Sequence, residues 1–390
     1  MTVTGPRTAP DAVDVVNTVN TVDVVALGES MVTFLPTRAG RLADVPSFER
    51  AIGGAESNVA CVLAAAGHTA RWVSQVGTDG FGDHLVEAIR GYGVDVAAVR
   101  RDAARPTGIY FRTASDRAGG DHEVAYYRAG SAASAMTVDT VDLAALRAAR
   151  VLHLSGITAA LSGGCLDLLR RLTAPRPGGG PLVSFDVNFR PALWRDAAAP
   201  RVLLDLARGC DLVFVGADEA EAAWGVDGGP EAIRGALPEP RVLVVKEGAH
   251  GATVFERAAP AERAEAAASV ESAEPVGSAG RADGGGSTPD TRTSVPALRV
   301  DVVAPVGAGD AFAAGFLSAT LRGLPVRERI RSGHLMAAAA LTVPGDLAAP
   351  PARDHADRLL ALDDAAWGRL RLGPGWTRAP GRADEEVPTP

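Results

Sequence analysis

Val151-Leu152-His153-Leu154, Pro181-Leu182-Val183-Ser184-Phe185-Asp186, Asp211-Leu212-Val213-Phe214-Val215 and Arg241-Val242-Leu243-Val244-Val245 are four short apolar runs in one stretch of the chain. Helical segments such as Cys165 to Leu172 and Arg201 to Arg208 separate them. Runs this short and this rich in valine suit strands buried on both faces. Their alternation with helices predicts an α/β fold, a three-layer sandwich around a mostly parallel sheet. In such a sheet ligands bind beyond the carboxyl ends of the strands. The polar residues at those ends are Asp186, Asn188, Arg190, Asp218, Glu219 and Lys246.

Further along, Leu298 to Val303 reads as a β-type run leading into Ala304-Pro305-Val306-Gly307-Ala308-Gly309-Asp310-Ala311-Phe312 and a helix of small residues. Gly307, Ala308 and Gly309 ahead of a helix aim backbone N–H groups and the positive helix end at one point, which suits a phosphate. Asp310 stands beside that point, placed to take a proton from an attacking hydroxyl. The same residues also fit a plain tight turn and helix cap.

Towards the N-terminus, residues 1–21 lack a stable period and read as a disordered leader. Val24 to Gly28 and Glu29 to Phe34 then read as strands. Ile52-Gly53-Gly54-Ala55-Glu56-Ser57-Asn58 passes into a helix from Cys61. Its paired glycines let backbone approach a ligand, although from these residues alone a turn capped by Ser57 or Asn58 is the plainer explanation. Pro106 to Thr113 and Glu123 to Arg128 pair as an antiparallel hairpin, either a flap over a polar ligand or an amphipathic edge. Residues 258–293 have no apolar period and read as a disordered insertion between two strands, and residues 373–390 as a disordered tail.

The 390 residues can bury a sizeable core, and 47% hydrophobic with 22% charged residues is ordinary for a globular chain. A formal charge of −8 with no basic block argues against a nucleic-acid partner. Lys246 is the only lysine, which marks its position. The three cysteines, Cys61, Cys165 and Cys210, are scattered, as in a reducing cytoplasm. No secretory signal or membrane-length apolar run is present, so a cytoplasmic protein without a membrane partner is expected. The chain has no GxxxxGK[ST], no GxGxxG in the first βα turn, no GxSxG and no CxxC. Walker-type, dinucleotide, acyl-transfer and dithiol chemistries therefore lack their usual motifs.

Gly53-Gly54-Ala55-Glu56-Ser57-Asn58-Val59-Ala60 and Val306-Gly307-Ala308-Gly309-Asp310-Ala311-Phe312 together resemble the two signatures of the ribokinase-like carbohydrate kinases, the PfkB family. The resemblance spans Val22 to Leu372, interrupted by the insertion. It implies a small antiparallel β lid, from about residues 28–50 and 106–130, and transfer of a phosphoryl group from ATP with Mg²⁺ to a sugar hydroxyl. It makes Asp310 the general base, the Gly307, Ala308 and Gly309 amides the anion hole, and the lid a device that excludes water. Lys246, Gly248 and Gly251 match its nucleotide-side loop, and Glu219 its Mg²⁺-organising carboxylate.

The runs around Gly28 to Met31, Thr107 to Arg112, Tyr126 to Ser134 and Phe185 to Pro191 are similar to the branch acting on 2-keto-3-deoxygluconate. Gly53, Gly54, Asn58, Tyr110, Arg112, Arg190 and Asp346 would then line the sugar site, the two arginines holding the carboxylate. A fructokinase- or ribokinase-type kinase of a neutral sugar, or an impaired sugar-binding protein, remain open as alternatives. Ala304 replaces an aspartate associated with monovalent cation binding, which puts potassium activation in doubt. Gly216 replaces the asparagine of an Asn-x-x-Glu motif, leaving Glu219 to act with waters. A homo-oligomer through the lid is a further expectation from the resemblance.

Overall fold

The structure, a computed structural model, describes residues 21–38, 40–113, 123–194, 200–258 and 290–378. Nine strands form the main sheet: β1 (Val22–Leu27), β4 (Ala70–Gly77), β5 (Val99–Asp102), β8 (Ala149–Ser155), β9 (Leu182–Asp186), β10 (Leu212–Gly216), β11 (Val242–Lys246), β12 (Ala252–Glu256) and β13 (Thr291–Val295). Their order is β13-β12-β11-β10-β9-β8-β1-β4-β5. All neighbours pair parallel except at one edge, where β12 runs antiparallel to both β11 and β13.

Period-two alternation in the strands sorts their side chains to two faces. Val25, Leu152, Val213 and Leu243 belong to one core, with Leu168 and Leu203 from the helices Gly163–Thr173 and Pro200–Arg208. Val24, Val151, Leu212 and Val242 belong to the other, with Val59, Phe316 and Leu335 from the helices Ala55–Ala65, Ala308–Leu321 and Val326–Leu341. The expected α/β class with helices on both faces of a mostly parallel sheet is therefore the observed one.

A second sheet of four strands has the order β3-β2-β6-β7, from β2 (Met31–Pro36), β3 (Phe48–Gly53), β6 (Ile109–Arg112) and β7 (Val124–Tyr127). The expected hairpin is present, Ile109 pairing with Tyr127 and Tyr110 with Tyr126. Phe34 stacks on Phe111 with ring centroids 4.7 Å apart and fixes one face of this sheet. Tyr126 and Tyr127 of β7 are exposed.

Three local expectations need correction. Leu298 to Val303 does not enter the main sheet. Only β14 (Arg299–Val300) forms, pairing with β15 (Arg371–Leu372), because Pro296 ends β13 and Pro305 closes the run from the other side. The helix after Gly53-Gly54 starts at Ala55, six residues earlier than expected, so Ser57 and Asn58 lie inside it. No side chain caps it, and Ser57 Oγ instead donates to Ser30 Oγ at 3.0 Å. Residues 373–378 are structured: Trp376–Arg378 forms a short 3-10 turn, and Trp376 packs in the core, where aromatic burial outweighs the glycine-rich context. Residues 290–293 likewise belong to β13 or its approach. The remainder of the leader, insertion and tail, residues 1–20, 259–289 and 379–390, lies outside the described residues.

Candidate active site

β9, β10 and β11 end side by side, and their carboxyl ends deliver Asp186, Gly216 and Lys246 to one edge of the sheet. Lys246 Nζ donates to both oxygens of Asp186 at 3.0 Å. Burial works against the ammonium, yet the carboxylates of Asp186 and Glu219 outweigh it and lift Lys246 to about 12. Two residues past β9, Asn188 has φ of +40°, the only positive value at a non-glycine among the described residues. Such a conformation is costly away from glycine and concentrates at functional positions.

Asp310 sits in the first turn of the Ala308–Leu321 helix, partly open to the cleft. Asn58 Nδ2 donates to its Oδ2 at 2.8 Å, and Asn188 Nδ2 to its Oδ1 at 3.3 Å. The Oδ1 atoms of both amides are buried without a partner. Each asparagine thus spends its N–H on Asp310 and keeps an acceptor for a hydroxyl. Desolvation, helped by Asp186, pushes the Asp310 carboxyl up to about 7, against the Asn58 hydrogen bond, Arg190 and Lys246. A carboxylate with a pKa near neutrality is suited to accept a proton in a transition state.

Gly307 caps that helix with φ of +76°, where a side chain would be strained, and a Cβ there would overlap the Asp346 carbonyl oxygen. A Cβ placed on Gly309 would lie 3.6 Å from Lys246 Nζ, so the lone lysine stands over the Gly-Ala-Gly turn. Converging N–H groups, a helix N-terminus and an ammonium make this a site fit for a phosphoryl group.

Of the residues expected to line the sugar site, Gly53, Tyr110 and Arg112 lie on the small sheet and Asp346 meets them there, whereas Asn58 and Arg190 come from the Ala55–Ala65 helix and the loop after β9. Gly53 has to be glycine because a Cβ would strike Tyr110 Oη and the Asp346 carboxylate; Gly54 is pressed likewise against the Glu29 carbonyl. Tyr110 Oη donates to Asp346 Oδ2 at 2.9 Å, and Arg112 Nη2 to Oδ1 at 2.8 Å. Arg190 is the more open cation, its side chain 55% exposed and 4.0 Å from Glu219 Oε1. Gly248 and Gly251 lie in the β11–β12 hairpin, and a Cβ on Gly251 would overlap the Val295 carbonyl.

Glu219 Oε2 accepts from Gly216 N at 2.7 Å, and burial raises its carboxyl. A Cβ at position 216 would first meet Asp218 Oδ1 and then Glu219 Cγ at 3.2 Å, so a side chain there would shift the Asp218 carboxylate. Among the described residues no cluster of three or more His, Cys, Asp or Glu is preformed for a metal. A Mg²⁺ held by one or two carboxylates together with substrate phosphates and water needs no such cluster, and Glu219 fits that role. Ala304 is buried, its N–H donating to the Leu341 carbonyl at 3.3 Å.

Three residues in this arrangement were not assigned roles from the sequence. Asp186 and Asn188 stood out only as polar strand ends. Arg128 was visible only within a longer run, yet it pairs with the buried Glu29 and lies 5.8 Å from the Tyr126 ring centroid. No local signal distinguishes Arg128 from a solvated arginine; its partner is 99 positions away.

The sequence matches the pfkB family carbohydrate kinase description over residues 21–353. The chain belongs to that family. It is a carbohydrate kinase, a phosphotransferase with an alcohol acceptor. The 2-dehydro-3-deoxygluconokinase of Bacillus subtilis (strain 168) is 32% identical over 335 residues, 85% of this chain and 93% of that protein. That of Thermoproteus tenax is 34% identical over 340 residues, 86% and 94%. The crystal structure of a PfkB protein from Polaromonas sp. JS666 matches with a TM-score of 0.69 at 32% identity, covering 87% of this chain and 100% of that one. The kinase's described residues contain no helix long and apolar enough to cross a membrane.

Proposed function

We propose that this kinase transfers the γ-phosphoryl group of ATP to the 6-hydroxyl of 2-keto-3-deoxygluconate. The observation that carries the chemistry is Asp310, held by two asparagine amides at the mouth of the Gly307–Gly309 turn with its carboxyl near pH 7. The attacking hydroxyl donates its one hydrogen to Asp310, and the free Oδ1 of Asn58 or Asn188 accepts from a different hydroxyl of the sugar. As the attacking oxygen bonds to the γ-phosphorus, the bond from that phosphorus to the bridging oxygen breaks, ADP leaves, and the attacking hydroxyl's proton passes to Asp310. The amides of Ala308 and Gly309 and the Lys246 ammonium meet the charge on the transferred group, so positioning and electrostatics supply most of the acceleration. Mg²⁺, when bound, neutralises phosphate charge and orients the nucleotide, with Glu219 as its protein carboxylate. The four-stranded sheet serves as the lid that keeps water from competing with the sugar.

The acidic substrate is supported by the two relatives named for that activity and by Arg190, whose exposed guanidinium donates to the Phe189 carbonyl at 3.3 Å and lies 4.0 Å from Glu219. A neutral sugar is the second reading, favoured by the commitment of Arg112 to Asp346, which removes one cation from the acid site. ADP release measured over 2-keto-3-deoxygluconate, fructose and ribose separates them. Turnover confined to the neutral sugars overturns the acid assignment.

A further inference from the structure

Glu56 is a carboxylate that the transfer step leaves unused. It stands in the first turn of the Ala55–Ala65 helix and is wholly buried. Desolvation raises its carboxyl, against hydroxyl bonds from Thr158 and Ser155, its own N–H and the charge of Arg128. Enclosing such a group costs free energy that an apolar side chain there would not, and its contacts are few and directed. Ser155 Oγ donates to Glu56 Oε1 at 2.7 Å, and Thr158 Oγ1 donates to the same oxygen at 2.6 Å. Ser155 is the last residue of β8 and caps the helix Gly156–Leu161, accepting from Ile157 N at 3.2 Å; Thr158 lies in that helix's first turn. Glu56 therefore ties the start of one helix to the corner between β8 and another. A Cβ on Gly28, just past β1, would overlap its carboxyl, so the tie has no slack.

The same corner touches the second amide on Asp310. Ser155 pairs in register with Asp186, and a Cβ on Gly156 would overlap the carbonyl oxygen of Val187, the residue before Asn188. The two asparagines that hold Asp310, Asn58 at 2.8 Å and Asn188 at 3.3 Å, are thus both referred to the carboxyl end of β8. Asn58 follows Glu56 by two residues, about 200° round the helix. One side of the turn is held at Ser155 and Thr158 while the other presents its amide to Asp310. No side chain caps this helix, so the bonds of Glu56, with that of Ser57 to Ser30 Oγ, fix its first turn.

We propose that Glu56 is a positioning residue: held by Ser155 and Thr158, it sets the first turn of the Ala55–Ala65 helix so that the Asn58 amide meets Asp310. It touches no reacting atom and acts through Asn58. This rests on the reading of Asp310 as the base.

The test is initial-rate ADP release from pH 5 to 9, at saturating and subsaturating sugar, for Glu56→Ala, Glu56→Gln, Asn58→Ala and the Glu56→Ala/Asn58→Ala double variant. The sugar is 2-keto-3-deoxygluconate, or fructose or ribose if the kinase turns over only those. Glu56→Ala leaves two hydroxyls without their acceptor and frees the turn, and kcat should fall roughly 10- to 100-fold. The Asn58 bond lowers the Asp310 carboxyl, so its loss should raise the acid midpoint of kcat/KM above about 7, with Asp186, Arg190 and Lys246 left in place. The rise should be on the order of half a unit. Glu56→Gln keeps a carbonyl oxygen for both hydroxyls and should bring kcat to within about 3-fold of wild type, with the midpoint restored. The double variant should be no slower than Asn58→Ala alone, because both substitutions remove the same contact. Thr158→Val, which takes one hydroxyl from Glu56, should shift both quantities the same way and carries the comparison if the alanine variant does not fold. A midpoint lowered in both Glu56→Gln and Glu56→Ala overturns the proposal and makes Glu56 a buried like charge. Additive losses in the double variant, or a lower melting temperature with kcat and midpoint unchanged, overturn it as well. Asp310→Asn assayed in parallel keeps the two readings apart: activity retained there removes the base itself, whereas its loss beside unaltered Glu56 variants removes only the positioning.

Discussion

The electrostatics around Asp310 fix how the rate should depend on pH. Its carboxyl lies at about 7, raised first by desolvation and then by Asp186. A base with that pKa is half protonated at pH 7 and leaves roughly a tenth of the enzyme competent at pH 6. The kcat/KM profile should therefore fall about tenfold per unit on its acid side, with a midpoint about pH 7. Asp186→Asn tests the cause. The substitution removes a like charge and also frees Lys246 from its 3.0 Å partner, and both changes favour the Asp310 anion. The midpoint should move down on the order of one unit, about 1.36 kcal/mol of electrostatic work. Competence at pH 6 would then rise from roughly a tenth to roughly half of the plateau, whatever happens to the plateau itself. The assay is initial-rate ADP release from pH 5 to 9 at subsaturating sugar, so that the free enzyme is titrated. A wild-type midpoint near 4, or a midpoint in Asp186→Asn that stays or rises, would refute the assignment of Asp310 as a desolvated base.

Three more substitutions bear on the site. Asp310→Asn should lower kcat on the order of 10²–10⁴-fold with little change in KM, measured by the same assay. The raised folded-state pKa means Asp310 favours the folded chain below about pH 4 and loses that contribution as pH rises through about 7, so the asparagine variant should gain stability at pH 8 but not at pH 4. The ceiling is about 4 kcal/mol, lessened by the opening of Asp310 to the cleft, and thermal melts at the two pH values would reveal it. Arg190→Ala should raise KM for sugar acids about tenfold or more while sparing neutral sugars; an unchanged KM places the carboxylate elsewhere. Gly307→Ala should abolish transfer and destabilise the chain by about 1–3 kcal/mol, because the new methyl meets the Asp346 carbonyl at a strained φ. Denaturant midpoints and ADP release measure the two effects.

What the sequence determined by itself was local in character. Valine-rich runs at helical spacing specified a parallel sheet with two covered faces, because strand burial and crossover length are written in composition and period. Gly307 to Asp310 announced a helix N-terminus with a carboxylate in its first turn, because positive φ and helix starts favour particular residues. Tertiary structure decided what those residues face. Asn58 reaches Asp310 across 252 positions and Arg112 reaches Asp346 across 234, and no pattern within either segment encodes the meeting. Arg112 illustrates the consequence: as an arginine on a strand it reads only as a cation, whereas the fold sets its Nη2 on Asp346 and the Pro344 carbonyl and leaves its buried Nε without a partner. Burial decides such cases, since an enclosed cation has to be paired inside the protein, whereas an open one such as Arg190 is solvated as well as bonded to the Phe189 carbonyl.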